Sequence, residues 1–121
     1  MSSQDAQARL LAARALLTRE LKGAAVQAVA PDPPLAALGA VDGFGAVVAD
    51  SDLRLSVYVF DAWGAGAAHV DGLRTRAESD NRVARVAVNG ELLFVGTLSD
   101  DGEATEDFLL NDLCSAFAGR E

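Results

Sequence analysis

The chain has 121 residues, half of them hydrophobic, and 18 acids against 10 bases give it a net charge of −8. That size and apolar content fit one folded domain, residues 1–121, with its own core, and they exclude a disordered chain. The negative charge argues against binding to phosphate backbones or an anionic membrane surface, and no apolar run approaches the roughly 18 residues that cross a bilayer.

The charge is polarised along the chain. Residues 86–121 hold eight acids and one base, a net of −7; residues 1–41 hold three acids and four bases, a net of +1; residues 42–85 hold seven acids and five bases, a net of −2. Such a chain attracts a cationic protein face, a polyamine or a metal ion. Cys114 is the only cysteine, so no intrachain disulfide forms, which fits a reducing compartment. Residues 1–9 lack the basic start and unbroken apolar stretch of a signal peptide, and the expectation is a cytoplasmic protein.

The first predicted element is a helix over residues 4–22, capped by Ser2 or Ser3 and ended by Gly23. Ala6, Leu10, Ala13, Leu17, Leu21 and Ala24 share one face of it, and Leu11 and Leu16 flank that stripe. Apolar residues outside the buried stripe point to a further packing partner, and a second copy of the chain is the candidate at Leu11 and Leu16. Residues 25–29 read as helix continuation or as a short strand. Pro31, Pro33 and Pro34 break the chain at 31–34, and residues 35–38 form a helical turn opened by Asp32 and the prolines.

Residues 44–49 and 53–60 read as a hairpin around Asp50-Ser51-Asp52. Pairing Val48 with Leu55, Ala46 with Val57 and Phe44 with Val59 gathers six apolar residues on one face, whereas a one-residue slip would bury Arg54 and Ser56. Asp61 caps a helix that runs to Ser79, with Trp63, Ala67, Val70 and Ala77 on its inner side and Leu73 beside them. Asn89-Gly90 is the sequence of a type I′ turn, and it pairs Val86 with Leu93, Ala84 with Val95 and Arg85 with Phe94, where an Arg–ring contact would form. Thr105 caps a last helix with Glu106 and Asp107 in its first turn and an apolar stripe of Leu109, Leu110, Leu113, Ala116 and Phe117, ended by Gly119.

The order α-(β)ββ-α-ββ-α implies an α+β domain in which helices pack on one antiparallel sheet of two hairpins and a fifth strand near 25–29. The two hairpin–helix units share no residue-level repeat.

No motif in the chain specifies a reaction. His69 is the only histidine, and neither it nor Cys114 falls in a triad spacing. Gly64-Ala-Gly66-Ala-Ala-His69 resembles the start of a dinucleotide fingerprint, but its third glycine is a histidine and its strand belongs to a hairpin. The loop Asp100-Asp101-Gly102-Glu103 invites a calcium reading; with Gly102 at the sixth loop position, Thr97 and Phe108 fall at the first and twelfth, where acids are required. No cofactor, catalytic residue or metal ligand is assigned.

The chemistry that remains is surface chemistry. Asp100, Asp101, Glu103, Glu106 and Asp107 form the rim of a steering surface for a basic protein partner, with Leu92 and Phe94 as exposed apolar anchors beside it. The expected function is a non-enzymatic, chaperone- or immunity-type module that masks a basic or aggregation-prone partner. The element order, small size and acidity resemble the small dimeric secretion chaperones of the type III class. That resemblance is one of architecture and carries no residue across. The alternative is a small-molecule-binding or sensory domain with an apolar pocket lined by Trp63, Phe94 or Phe108.

Overall fold

The computed structural model describes residues 3–20, 26–31, 34–48, 53–60, 65–89, 92–99 and 113–114. In chain order these form α1 (Ser3–Glu20), β1 (Val26–Val29), α2 (Leu35–Leu38), β2 (Asp42–Val48), β3 (Arg54–Val59), a 3₁₀ turn (Ala65–His69), α3 (Val70–Ser79), β4 (Arg82–Asn89) and β5 (Leu92–Ser99). The strands make one sheet in the order β1-β2-β3-β5-β4, antiparallel throughout. The α+β class and the alternation of helices with hairpins follow the sequence reading. The uncertain segment before the prolines is a strand, because pairing Val26 with Val48 and Ala28 with Ala46 satisfies its backbone along β2.

Helices cover both faces of the sheet. On the first face Phe44, Ala46 and Val48 of β2, Leu55, Val57 and Val59 of β3, and Leu92, Phe94 and Leu98 of β5 project toward α1 and Leu113. Leu10 and Ala13 of α1 are buried there, and Leu16 packs against their cluster. Leu10 and Ala13 belong to the expected stripe of α1. On the second face Tyr58, Phe60, Leu93 and Val95 are buried against Leu73 of α3, with Leu35 and Leu38 of α2 packed beside them. Residues alternate between these faces along every central strand, so one apolar run feeds two cores.

Both hairpins keep the expected faces but not the expected partners. In the first, Ala46 stands opposite Leu55 and Phe44 opposite Val57, two residues away from the predicted pairing. The N–H of Val48 reaches the carbonyl of Leu53 at 3.2 Å, so four residues, 49–52, make the connection. Ala-Asp-Ser-Asp offers neither glycine nor asparagine for the positive φ that a two-residue turn demands. In the second, Asn89 stands opposite Leu92 and Ala87 opposite Phe94. Arg85 stands opposite Gly96, so Phe94 is its diagonal neighbour on the same face and not its direct partner. The small Ala87 gives the Phe94 ring room on a face crowded by α1. The guanidinium of Arg14 in α1 lies 4.5 Å from the centre of the Phe44 ring.

Within the helix expected over 61–79, residues 61–64 lie outside the described residues and Ala65–His69 form a 3₁₀ turn. Three residues per turn rotate its inner face. Gly66 is therefore the buried position, its Cα side pressed on Leu93 and Phe60, while Ala67 is exposed. Leu73 and Ala77 are buried as read from the sequence. Leu113 is helical and fully buried, as its place in the predicted stripe implies.

Two glycines of β2 let the chain return over the second face. A Cβ on Gly43 would stand 2.5 Å from the Val57 carbonyl oxygen and 2.9 Å from Leu35; one on Gly45 would stand 2.8 Å from the Ala30 carbonyl oxygen. Gly72, on the exposed side of α3, has nothing within 4 Å of such an atom. Gly43→Ala is expected to lower the unfolding free energy by about 1–3 kcal/mol through forced overpacking. Gly72→Ala is expected to raise it by roughly 0.5–1 kcal/mol through helix propensity. Urea denaturation of the two variants checks both signs.

Candidate functional site

The residues expected to make a binding surface divide into three groups. Asp100, Asp101, Glu103, Glu106 and Asp107 lie outside the described residues, as do Trp63 and Phe108. Leu92 and Phe94 are described and are not surface anchors: they are 6% and 0% exposed, inside the core under α1. The expectation of exposure failed because it assumed one open sheet face, and α1 and Leu113 cover that face. Leu11 is 69% exposed on the outside of α1, whereas Leu16 is half-buried against the core.

Further apolar exposure lies at the first edge of the sheet. Among the described residues β1 pairs with β2 alone, and all four of its residues are exposed, with Val26 at 43% and Val29 at 40%. Val41, just before β2, is exposed as well. The N–H and C=O groups on the outer side of an edge strand point away from the sheet and can accept another strand.

The residues considered for chemistry have structural surroundings. His69 closes the 3₁₀ turn and stacks on Phe60, with ring centres 5.6 Å apart and 13° between planes. Gly66 packs on Leu93 and Phe60, and β3 before it is antiparallel to both its neighbours; Gly64 lies outside the described residues. Thr97 accepts a hydrogen bond from Arg82, and the loop at 100–103 lies outside the described residues. Among the described residues no three His, Cys, Asp or Glu side chains gather into a metal site, and no helix is long and apolar enough to cross a membrane. Cys114 is half-buried against the core; burial raises its thiol pKa above the usual range, and the positive charges of Arg85 and Arg74 only partly offset this.

Sequence reasoning did not anticipate a cleft on the second face, between α3 and the β1–β2 side of the sheet. It encloses about 90 Å³. Its apolar wall includes Leu73 and Ala77 of α3 and Val95 of β5, and its polar wall includes Arg54, Ser56, Arg76, Asp80, Arg82 and Thr97. The register explains the convergence. Thr97 lies directly opposite Arg54 of β3 on one side and opposite Ala84 of β4, two residues from Arg82, on the other. Arg82 donates from Nε to Thr97 Oγ1 and from Nη2 to the Thr97 carbonyl, each at 3.1 Å. Arg76 descends from α3. That helix ends where the N–H of Asp80 reaches the Ala77 carbonyl at 3.0 Å and Asn81 turns the chain at φ 59°. Asparagine tolerates that left-handed geometry, and it launches β4 at Arg82 beside the cleft. A broader groove of about 450 Å³ follows along β4, lined in part by Arg74, Arg82 and Arg85. Nothing short of the pairing between the two hairpins brings Arg54 and Arg82 together, and no local pattern encodes that pairing.

The chain matches no protein-family model, no curated protein and no solved structure.

The raised thiol pKa of Cys114 has a definite sign. A folded pKa above the unfolded one adds stability that is fully present below the unfolded thiol's pKa and is lost as pH rises toward the folded one. The thiolate is also the reactive form. Iodoacetamide is therefore expected to modify Cys114 at least about tenfold more slowly in the folded chain than in concentrated urea near pH 8. Mass spectrometry of timed samples reads the two rates.

Proposed function

We propose that the chain is a non-enzymatic protein-binding module that masks a basic or aggregation-prone partner, in the manner of a chaperone or an immunity-type inhibitor. The observation that carries this reading is the β1 edge. Both faces of the sheet are covered by helices, yet among the described residues the sheet ends in a strand of four exposed residues, with Val26 and Val29 projecting to opposite faces. An extended segment laid beside β1 would satisfy the outer backbone groups and cover one valine on each side. The edge is short and runs into Pro31, features that restrict open-ended strand growth. It suits one partner segment rather than a fibre.

Val26 and Val29 thus take the role of anchors that Leu92 and Phe94 cannot fill. The acids at 100, 101, 103, 106 and 107 supply steering for a cationic partner, an effect carried mainly by the association rate and weakened by salt. Leu11 remains available for a second copy of the chain. The element order resembling type III secretion chaperones agrees with this reading and rests on order alone. The alternative of an apolar pocket loses one lining residue, since Phe94 packs in the core.

The test is capture from the native host with the tagged full-length chain at low and high salt. A basic protein is expected at stoichiometric yield, released by salt. Val26→Glu with Val29→Glu should weaken its capture by about tenfold or more, and neutralising Asp100, Asp101 and Glu103 should slow association. Recovery of the chain alone, or capture indifferent to both sets of substitutions, would overturn the reading.

A further inference from the structure

We infer that the outer edge of β1 pairs with β1 of a second copy of the chain, antiparallel about a two-fold axis that sets Gln27 opposite itself. Among the described residues Val26, Val29 and Val41 are large apolar side chains left exposed, and all three stand on β1 or beside the start of β2. The strand itself, Val26-Gln27-Ala28-Val29, carries no charge. On a chain of net charge −8 it is an edge where two copies meet without opposing like charges in the ladder. The other edge of the described sheet, β4, carries Arg82 and Arg85, charges of the kind that keep an edge from pairing with its copy.

The pleat fixes the register. Val26 and Ala28 stand opposite Val48 and Ala46 and so lie on the first face of the sheet, while Gln27 and Val29 lie on the second. Residues directly opposite in an antiparallel pair share a face, so a two-fold between copies of β1 has to place a residue opposite itself. Centring on Ala28 would set Gln27 against Val29 and draw Ala30 and Pro31 toward the ladder, where proline has no N–H to donate. Centring on Gln27 sets Val26 of each copy against Ala28 of the other on the first face. The two Gln27 amides then face each other across the axis, each with donors and an acceptor to offer. The flanking sequence agrees. The nearest charge before the strand is Lys22 and the nearest after it is Asp32, each five residues from Gln27. Antiparallel pairing brings the basic approach of one copy to the acidic departure of the other, whereas parallel pairing brings like to like.

Four-residue strands cover far less than the roughly 800 Å² per partner of a standard interface, so the pair is weak, with a dissociation constant on the order of 0.1 mM. β1 has one outer edge, so a second copy and a partner segment exclude each other there. For a chain that masks a partner at β1, a consequence that rests on the function proposed above, the copy covers the edge until the partner displaces it.

The experiment is sedimentation equilibrium of the full chain at concentrations from about 10 µM to about 1 mM. A monomer–dimer equilibrium is expected. Gln27→Glu and Gln27→Lys each set like charges opposite at the axis and should each weaken self-association by about tenfold or more. Gln27 is exposed, so both variants should keep the circular dichroism of the unsubstituted chain. An equimolar mixture of the two variants should associate at least as tightly as the unsubstituted chain. Leu11→Glu should leave the dimer unchanged. A chain that stays monomeric throughout, a dimer indifferent to both Gln27 substitutions, a mixture no tighter than its components, or loss of the dimer with Leu11→Glu would overturn the proposal. Partner capture by a chain that stays monomeric overturns the dimer alone, and a Gln27-centred dimer that captures no partner overturns the masking reading alone.

Discussion

The ladder between β3 and β5 is the constraint on which the rest of the molecule depends. It joins two hairpins whose paired residues are far apart in the sequence, Arg54 with Thr97 and Val59 with Leu92. Neither hairpin could bury its apolar residues alone, because each central strand feeds both faces. Val57 meets Phe94 on the side of α1, and Tyr58 meets Leu93 on the side of α3. A half-pleat slip of this one ladder would send Phe94 toward α3 and Leu93 toward α1, misfilling two cores together. Its formation closes a long loop, so the main entropic cost of the fold falls on a contact that is strongly specified once made.

That account separates what the amino-acid sequence discloses from what it conceals. Alternation in 44–48, 54–59 and 92–98 identifies strands and their apolar faces, and Leu10, Ala13, Leu73, Ala77 and Leu113 are legible as helix stripes. Their spacing is local, and so is the physics that reads it. Which face stays open is not local. The expectation that Leu92 and Phe94 face solvent assumed a single covered face, and only the joint placement of α1 and Leu113 shows otherwise. The register of each hairpin is equally a compromise. Asn89-Gly90 favours a turn of its own, but the ladder to β3 and the space that Ala87 leaves for Phe94 decide the pairing.

Charge shows the same division. The sum and polarity of the charge are visible at once, and they suggest an acidic surface for a basic partner. Five arginines between residues 54 and 85 are visible too, yet nothing in their order distinguishes a solvated face from a cleft. Three become neighbours because Arg54 and Arg82 flank β5 and Arg76 comes down from α3. The glycines of β2 matter to this arrangement. Gly43 and Gly45 allow Ala30, Pro31 and Leu35 to lie close on the second face, and the cleft is the gap left between that return and α3.

Both hairpins differ from their expected pairing by two residues, and both keep their faces. Two residues are one full pleat. Sliding by a pleat exchanges partners without exchanging sides, so each core receives the same side chains from the same strand. The fold is therefore quantised in its tolerance of drift. Length changes near the connections at 49–52 and 90–91 that are absorbed as whole pleats leave both cores their apolar sets, while half-pleat changes invert them. Diversification of this architecture is easiest in even steps, and the turn sequences are free to wander as long as the parity of the ladder is kept.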